Sequence, residues 1–244
     1  MSQTAMKKEG RKKTEMKKAG MQQEKFGLLA SIGMLLLFVI YTIMVANLDV
    51  QPIGPEGSAV GFASLNGMVA EAIGFQKFWY VLTDILGYVA LLVVAFFGLL
   101  GLLQLIRGKS IQKVDADLLA LGGFYAVVFL CYVIFEVLVI NYRPVMLEEG
   151  LEASYPSSHT MLAVCVFTTA IFQFQSRIRD AKICKMIEIV AVILIVLTVG
   201  GRLLSGAHWF TDIIGSLILS AALIFGYATA VVWLKGLRKR RRQG

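Results

Sequence analysis

The sequence predicts an all-α integral membrane bundle of six transmembrane helices with both termini cytoplasmic. Three observations predict it. Hydrophobic residues make up 57% of the 244 positions, above the roughly 45–50% of an ordinary soluble domain, and the mean hydropathy is +0.73. Six apolar runs approach or exceed the roughly 20 residues that a bilayer core demands. All but three of the 24 Lys and Arg lie in the tails and in two of the connections.

The six runs are read at about 26–46, 80–106, 118–140, 160–175, 187–203 and 210–234. The fourth and fifth are short and carry polar residues at their outer ends. A re-entrant fourth run would reduce the count to five. Of 24 Lys and Arg, eight lie between Lys7 and Lys25 and six between Lys235 and Arg242. Three more fall at 107–113 and four at 177–185, leaving only Lys77, Arg143 and Arg202 for the other side. Basic connections mark the cytoplasmic face, and both tails on that face require an even number of crossings. Residues 1–25 and 235–244 are therefore read as basic cytoplasmic tails lying against anionic lipid, the first either disordered or lying on the membrane surface. Residues 26–234 form one membrane domain. Nucleic acid is not expected as a partner, since the basic tails lack interleaved aromatics and a folded reader.

Cys131, Cys165 and Cys184 are too scattered for a disulfide framework or a metal site. No cofactor is implied. The outer segment 47–79 begins with the turn residues Pro52-Ile53-Gly54-Pro55, continues as an apolar stretch from Leu65, and ends in Phe78-Trp79-Tyr80. It reads as an interfacial helix with an aromatic belt, its anchoring role favoured over that of a lid. The connection at 141–158 is acidic, with Glu148, Glu149 and Glu152.

Both histidines of the chain stand at outer helix ends. His208 lies six residues after Arg202 and four before Asp212. On one helical face Asp212 can accept from the imidazole, fixing its tautomer while the other nitrogen attacks. His159 closes Tyr155-Pro156-Ser157-Ser158-His159, where Ser157 or Ser158 can cap span four and leave backbone N–H groups facing an anion. Arg143-Pro144 follows span three. Arginine suits phosphoryl oxygens, and imidazole can attack or donate a proton near neutral pH. A purely structural account of these residues, as helix caps and headgroup-snorkelling cations, explains each singly but not their gathering on one face. Glu136 lies two turns before Arg143, about 10 Å along a helix axis at 1.5 Å per residue. An intramembrane carboxylate needs a partner, so structural pairing with Arg143 or Arg202 is expected, placing Glu136 behind the site. Asp84, near the outer end of span two, receives no role.

With Arg143-Pro144, Pro156-Ser157-Ser158-His159 and Arg202-x5-His208-x3-Asp212 assembled, the chain resembles the type 2 phosphatidic acid phosphatase family of lipid phosphatases, related to haloperoxidases. That family carries Lys-x6-Arg-Pro, Pro-Ser-Gly-His and Ser-Arg-x5-His-x3-Asp in this order. The resemblance covers about 118–234. It implies His208 as nucleophile, Asp212 as its orienting partner and His159 as general acid, with Arg143, Arg202, Ser157 and Ser158 binding phosphate. Three positions depart: Glu136 stands where the family has lysine, Ser158 replaces glycine and Gly201 replaces serine.

The expectation is thus a multi-pass cell-membrane enzyme of phosphatidic acid phosphatase type, free of metal. It would hydrolyse a lipid phosphate monoester or diphosphate at the extracytoplasmic face through a phosphohistidine, with membrane lipids as its surroundings. Two alternatives stand beside it: an undecaprenyl-diphosphate phosphatase, and a non-catalytic lipid-phosphate binder or transporter, which Glu136 makes plausible.

Overall fold

The structure is a computed structural model that describes residues 3–146 and 150–241. Glu148 and Glu149 of the acidic connection lie outside the described residues. Among the described residues seven α-helices follow in order: α1 (Gln3–Asn47), α2 (Ala63–Ile73), α3 (Lys77–Gly108), α4 (Ala116–Val137), α5 (Ser158–Arg177), α6 (Ala181–Leu204) and α7 (Phe210–Arg241). Among the described residues there is no strand beyond two isolated bridges, Gln51 with Val60 and Tyr142 with Ala153.

Five helices, α1, α3, α4, α6 and α7, contain stretches long and apolar enough to cross a membrane, as expected of a multi-pass membrane protein. The expected fourth span, α5, is not among them, and packing gives the reason. It lies against α3, α4, α6 and α7, and its Thr160, Thr169 and Gln173 are buried. Thr169 shares a 3.2 Å hydrogen bond with Tyr125, and Gln173 donates to the Tyr227 hydroxyl at 2.6 Å. Polar groups facing other helices and paired there are tolerated in a bundle interior. A helix shielded in this way does not need the apolar surface that lipid contact imposes on the other five.

The basic N-terminal segment, expected to be disordered or to lie on the membrane surface, is the first part of α1. Its Lys, Glu, Met, Gln and Ala are good helix formers, and the backbone continues without a break into the apolar run. A second difference concerns α4, which stops at Val137 and not near 140. The β-branched residues about this point and Pro144 disfavour continuation. The chain instead turns at Asn141, whose carbonyl accepts from the Ser154 N–H at 2.9 Å, while the Arg143 N–H donates to the Glu152 carbonyl at 3.0 Å.

Two ends of the bundle are distinct. At one, the Asp117 carboxylate receives both terminal nitrogens of Arg177 at 3.3 and 3.2 Å, Lys235 stands 3.8 Å away, and Arg238 bonds the Val114 carbonyl. The α3–α4 turn, the end of α5 and the end of α7 therefore meet there. The helix pair α1–α7 runs antiparallel, with Ser31 donating to the Ala222 carbonyl at 2.9 Å, so the start of α1 belongs to that same end. The opposite end collects the 48–76 segment, the 138–157 connection and the α6–α7 turn.

Candidate active site

A cavity of about 590 Å³ opens at this second end. Arg143, His159, His208 and Ser158 lie on its wall, with Asp84, Glu136 and Glu152. Arg202 and Asp212, both fully buried, stand behind these residues, and Arg202 lies over the Tyr80 ring at 5.2 Å.

His208 precedes α7, in the turn after α6. Its Nδ1 is 3.1 Å from the Ser154 carbonyl and 3.7 Å from Asp212 Oδ2. A carbonyl only accepts, so Nδ1 carries the proton and Nε2 keeps its lone pair. The sequence assigned that orienting role to Asp212 through a shared helical face. Because the helix begins only at Phe210, Asp212 instead closes its first turn, accepting the Trp209 N–H at 2.9 Å and the Asn141 amide at 3.4 Å. Burial, reinforced by Arg143 and Arg202, holds the His208 imidazole well below its ordinary value. It is therefore neutral, and Nε2 is buried without a partner.

His159 sits in the first turn of α5. Its Cδ2–Nε2 edge lies against α3 at Gly87, where a Cβ would come within 2.8 Å of the ring; glycine is required for this approach. His159 Nε2 is 3.3 Å from Asp84 Oδ1, and the same oxygen accepts from Arg202 Nη2 at 2.7 Å. Asp84, which had no role from the sequence, thus holds two of the predicted site residues.

Ser157 and Ser158 separate in the structure. Ser158 lines the cavity as the first residue of α5 without a positive φ, so the glycine of the family pattern is not needed by this backbone. Ser157 does not face the cavity: its N–H donates to the Asp212 carbonyl at 3.2 Å and its hydroxyl donates to Thr160 at 3.1 Å. It fastens α5 to α7 and is not placed to touch phosphate directly.

Arg143 pairs with Glu152, Nε to Oε2 at 2.9 Å, and not with Glu136. The end of α4 at Val137 removes the shared face on which that pairing depended. Glu136 remains exposed on the cavity wall and, among the described residues, forms no ion pair. The outer segment supports the site from one side. Asn66 of α2 donates to the Thr211 hydroxyl at 2.9 Å and accepts the Thr211 N–H at 3.2 Å, bracing the start of α7 beside Asp212. Asn66, Asn141 and Ser154 carried no sequence signal, because each acts through partners distant in the chain.

The model of the PAP2 superfamily matches residues 117–236. The chain belongs to that superfamily. Among solved structures it is similar to the transmembrane PAP2-type phosphatidylglycerolphosphate phosphatase from Bacillus subtilis, at 21% identity and a TM-score of 0.57, over 86% of this chain and 96% of that one. At that identity the likeness speaks for the fold. No curated protein sequence matches. The region shared with the PAP2 superfamily holds Arg143, His159, Arg202, His208 and Asp212, whereas Asp84 and α2 lie before it. Among the described residues no three His, Cys, Asp or Glu side chains gather in a metal-binding arrangement.

Proposed function

We propose that this PAP2 protein is a membrane lipid phosphatase that hydrolyses a lipid phosphate monoester or diphosphate through a phosphohistidine on His208. One observation carries the reading. Nitrogens of four cationic or imidazole side chains, Arg143 Nη1, Arg202 Nε and Nη1, His159 Nδ1 and His208 Nε2, are buried at one place without partners. Leaving such groups unpaired costs about 1–3 kcal/mol apiece, more when charged, and a bound phosphoryl group supplies what they lack. Apolar residues such as Leu91, Phe129 and Leu162 continue the same cavity, giving a lipid chain its path.

The Nε2 lone pair of His208 forms an N–P bond as the P–O bond to the lipid breaks. That bond's electrons remain on the leaving oxygen, which takes a proton from His159. Water then adds to phosphorus, gives a proton back to His159, and the N–P pair returns to His208 as phosphate departs. The arginines meet the charge on the transferring group.

In this reading residues 26–234 are the phosphatase domain, α5 completes six crossings, and the site faces the extracytoplasmic side. Purified protein in detergent should release phosphate from phosphatidate, phosphatidylglycerol phosphate or undecaprenyl diphosphate. His208→Ala should lower the rate by several orders of magnitude, and acid quench with labelled substrate should trap phosphate on His208. Label elsewhere, or an active Ala variant, overturns the nucleophile; binding without turnover across the panel favours a non-catalytic binder. With no carboxylate cluster spaced for a cation among the described residues, activity should also survive excess EDTA, and loss reversed by added Mg²⁺ or Zn²⁺ would refute metal independence.

A further inference from the structure

We infer that Asp84 is a positioning residue for proton transfer, acting through His159, an inference that rests on the phosphatase reading above. The geometry makes Asp84 a shared neighbour: one oxygen lies 3.3 Å from His159 Nε2 as an ion-pair contact and accepts from Arg202 Nη2 at 2.7 Å. It lies on α3, outside the segment matched by the superfamily, on a stretch built for close approach. Three residues later, Gly87 admits the His159 ring. One residue earlier, buried Thr83 faces Gly201, which adjoins Arg202. α3 thus brings one carboxylate to the residues that the chemistry must orient on α5 and α6.

Two consequences follow. With Nε2 turned to Asp84 at ion-pair distance, the other ring nitrogen of His159, buried and unpartnered Nδ1, is the one left for the leaving oxygen. A carboxylate in contact with an imidazole also fixes its orientation and supports its cationic form, as in hydrolase triads. Arg143 and Arg202 otherwise crowd the same ring with positive charge. The same contact leaves Arg202 Nε and Nη1 free for phosphoryl oxygens. In the first step the proton passes from His159 to the departing oxygen as the P–O bond breaks.

Proton donation matters only when the leaving group is a poor one. An alkoxide of a lipid alcohol must be protonated as it leaves, whereas nitrophenolate leaves unaided. Single-turnover release isolates this first step from later hydrolysis. Asp84→Asn retains an oxygen for Arg202 but loses the charge. It should slow first-turnover release of a lipid alcohol roughly 100-fold, while nitrophenol release from nitrophenyl phosphate stays within a few fold of the parent protein. Should the Asn variant not fold, Asp84→Glu moves the charge by one methylene, and the same split in smaller measure is expected. Equal slowing of both leaving groups in a folded variant would show a structural part only and overturn the inference. His208→Ala, measured alongside, reports on the reading beneath: full activity in that variant removes the phosphohistidine route itself.

Discussion

A carboxylate is a poor neighbour for a phosphate, yet the cavity wall holds three, Asp84, Glu136 and Glu152. Two are balanced, Asp84 by Arg202 and Glu152 by Arg143. Glu136, exposed on the cavity wall, forms no ion pair among the described residues. Where the open cavity admits water a charge on its wall is screened: two unit charges 4 Å apart interact by about 1 kcal/mol in the bulk-water limit. Glu136→Gln should therefore keep the fold and stay within roughly fivefold of parental kcat/KM, since about 1 kcal/mol is a factor of that size. Glu136→Lys should lower KM for an anionic substrate without a matching change in kcat. A folded Gln variant with no turnover would place Glu136 in the chemistry. The residues legible in the sequence, His159, His208, Arg143 and Arg202, were those held in short motifs. Asp84 was not, because it meets Arg202 from 118 positions away and a lone acid near a helix end has no pattern. The surroundings of Glu136 are hidden for a related reason: periodicity gives a shared face only as far as the helix runs.

At the scale of the elements, the five apolar helices were legible because contact with lipid imposes composition on them. The central α5 was legible only as a shorter run, since its neighbours and not lipid set its composition. The break in α4 and the late start of α7 decide which atoms meet, and neither has a sharp sequence marker. Close approach of helices is equally hidden. Gly201 stands where the family pattern has serine. In the structure a Cβ there would meet Thr83 Cγ2 at 2.6 Å and the Trp79 ring at 3.2 Å. Gly201→Ser, although it restores the family residue, should destabilise the protein by about 1–3 kcal/mol through overpacking between α3 and α6. Thr83→Ser removes the obstructing methyl while keeping the hydroxyl that bonds the Trp79 carbonyl at 2.8 Å. The double variant should regain most of the loss in thermal unfolding in detergent. An undiminished melting temperature in Gly201→Ser alone would show that the two helices part at no cost.

For the whole molecule, the arrangement of its two ends makes the proposed membrane topology testable. The α3–α4 turn, the α5–α6 turn, the start of α1 and the end of α7 share the basic end, and the cavity lies at the other. If the basic end is cytoplasmic, positions at the cavity end must be reachable from outside the cell. Cys131, Cys165 and Cys184 are first changed to Ala, giving a background for single cysteines. Ala59→Cys and Leu151→Cys, both at exposed positions, should react with a membrane-impermeant maleimide on intact cells. Gln112→Cys, exposed in the α3–α4 connection, should react only after permeabilisation. Lys182→Cys, exposed at the start of α6, decides the part played by α5. If α5 crosses, position 182 is shielded in intact cells while 151 reacts, and six crossings stand. If 182 and 151 both react from outside, α5 enters and leaves by one face, five crossings remain, and a helix with Thr160, Thr169 and Gln173 buried inside the bundle does not span the bilayer. Reaction at 112 from outside with silence at 59 would invert the protein and turn its cavity toward the cytoplasm.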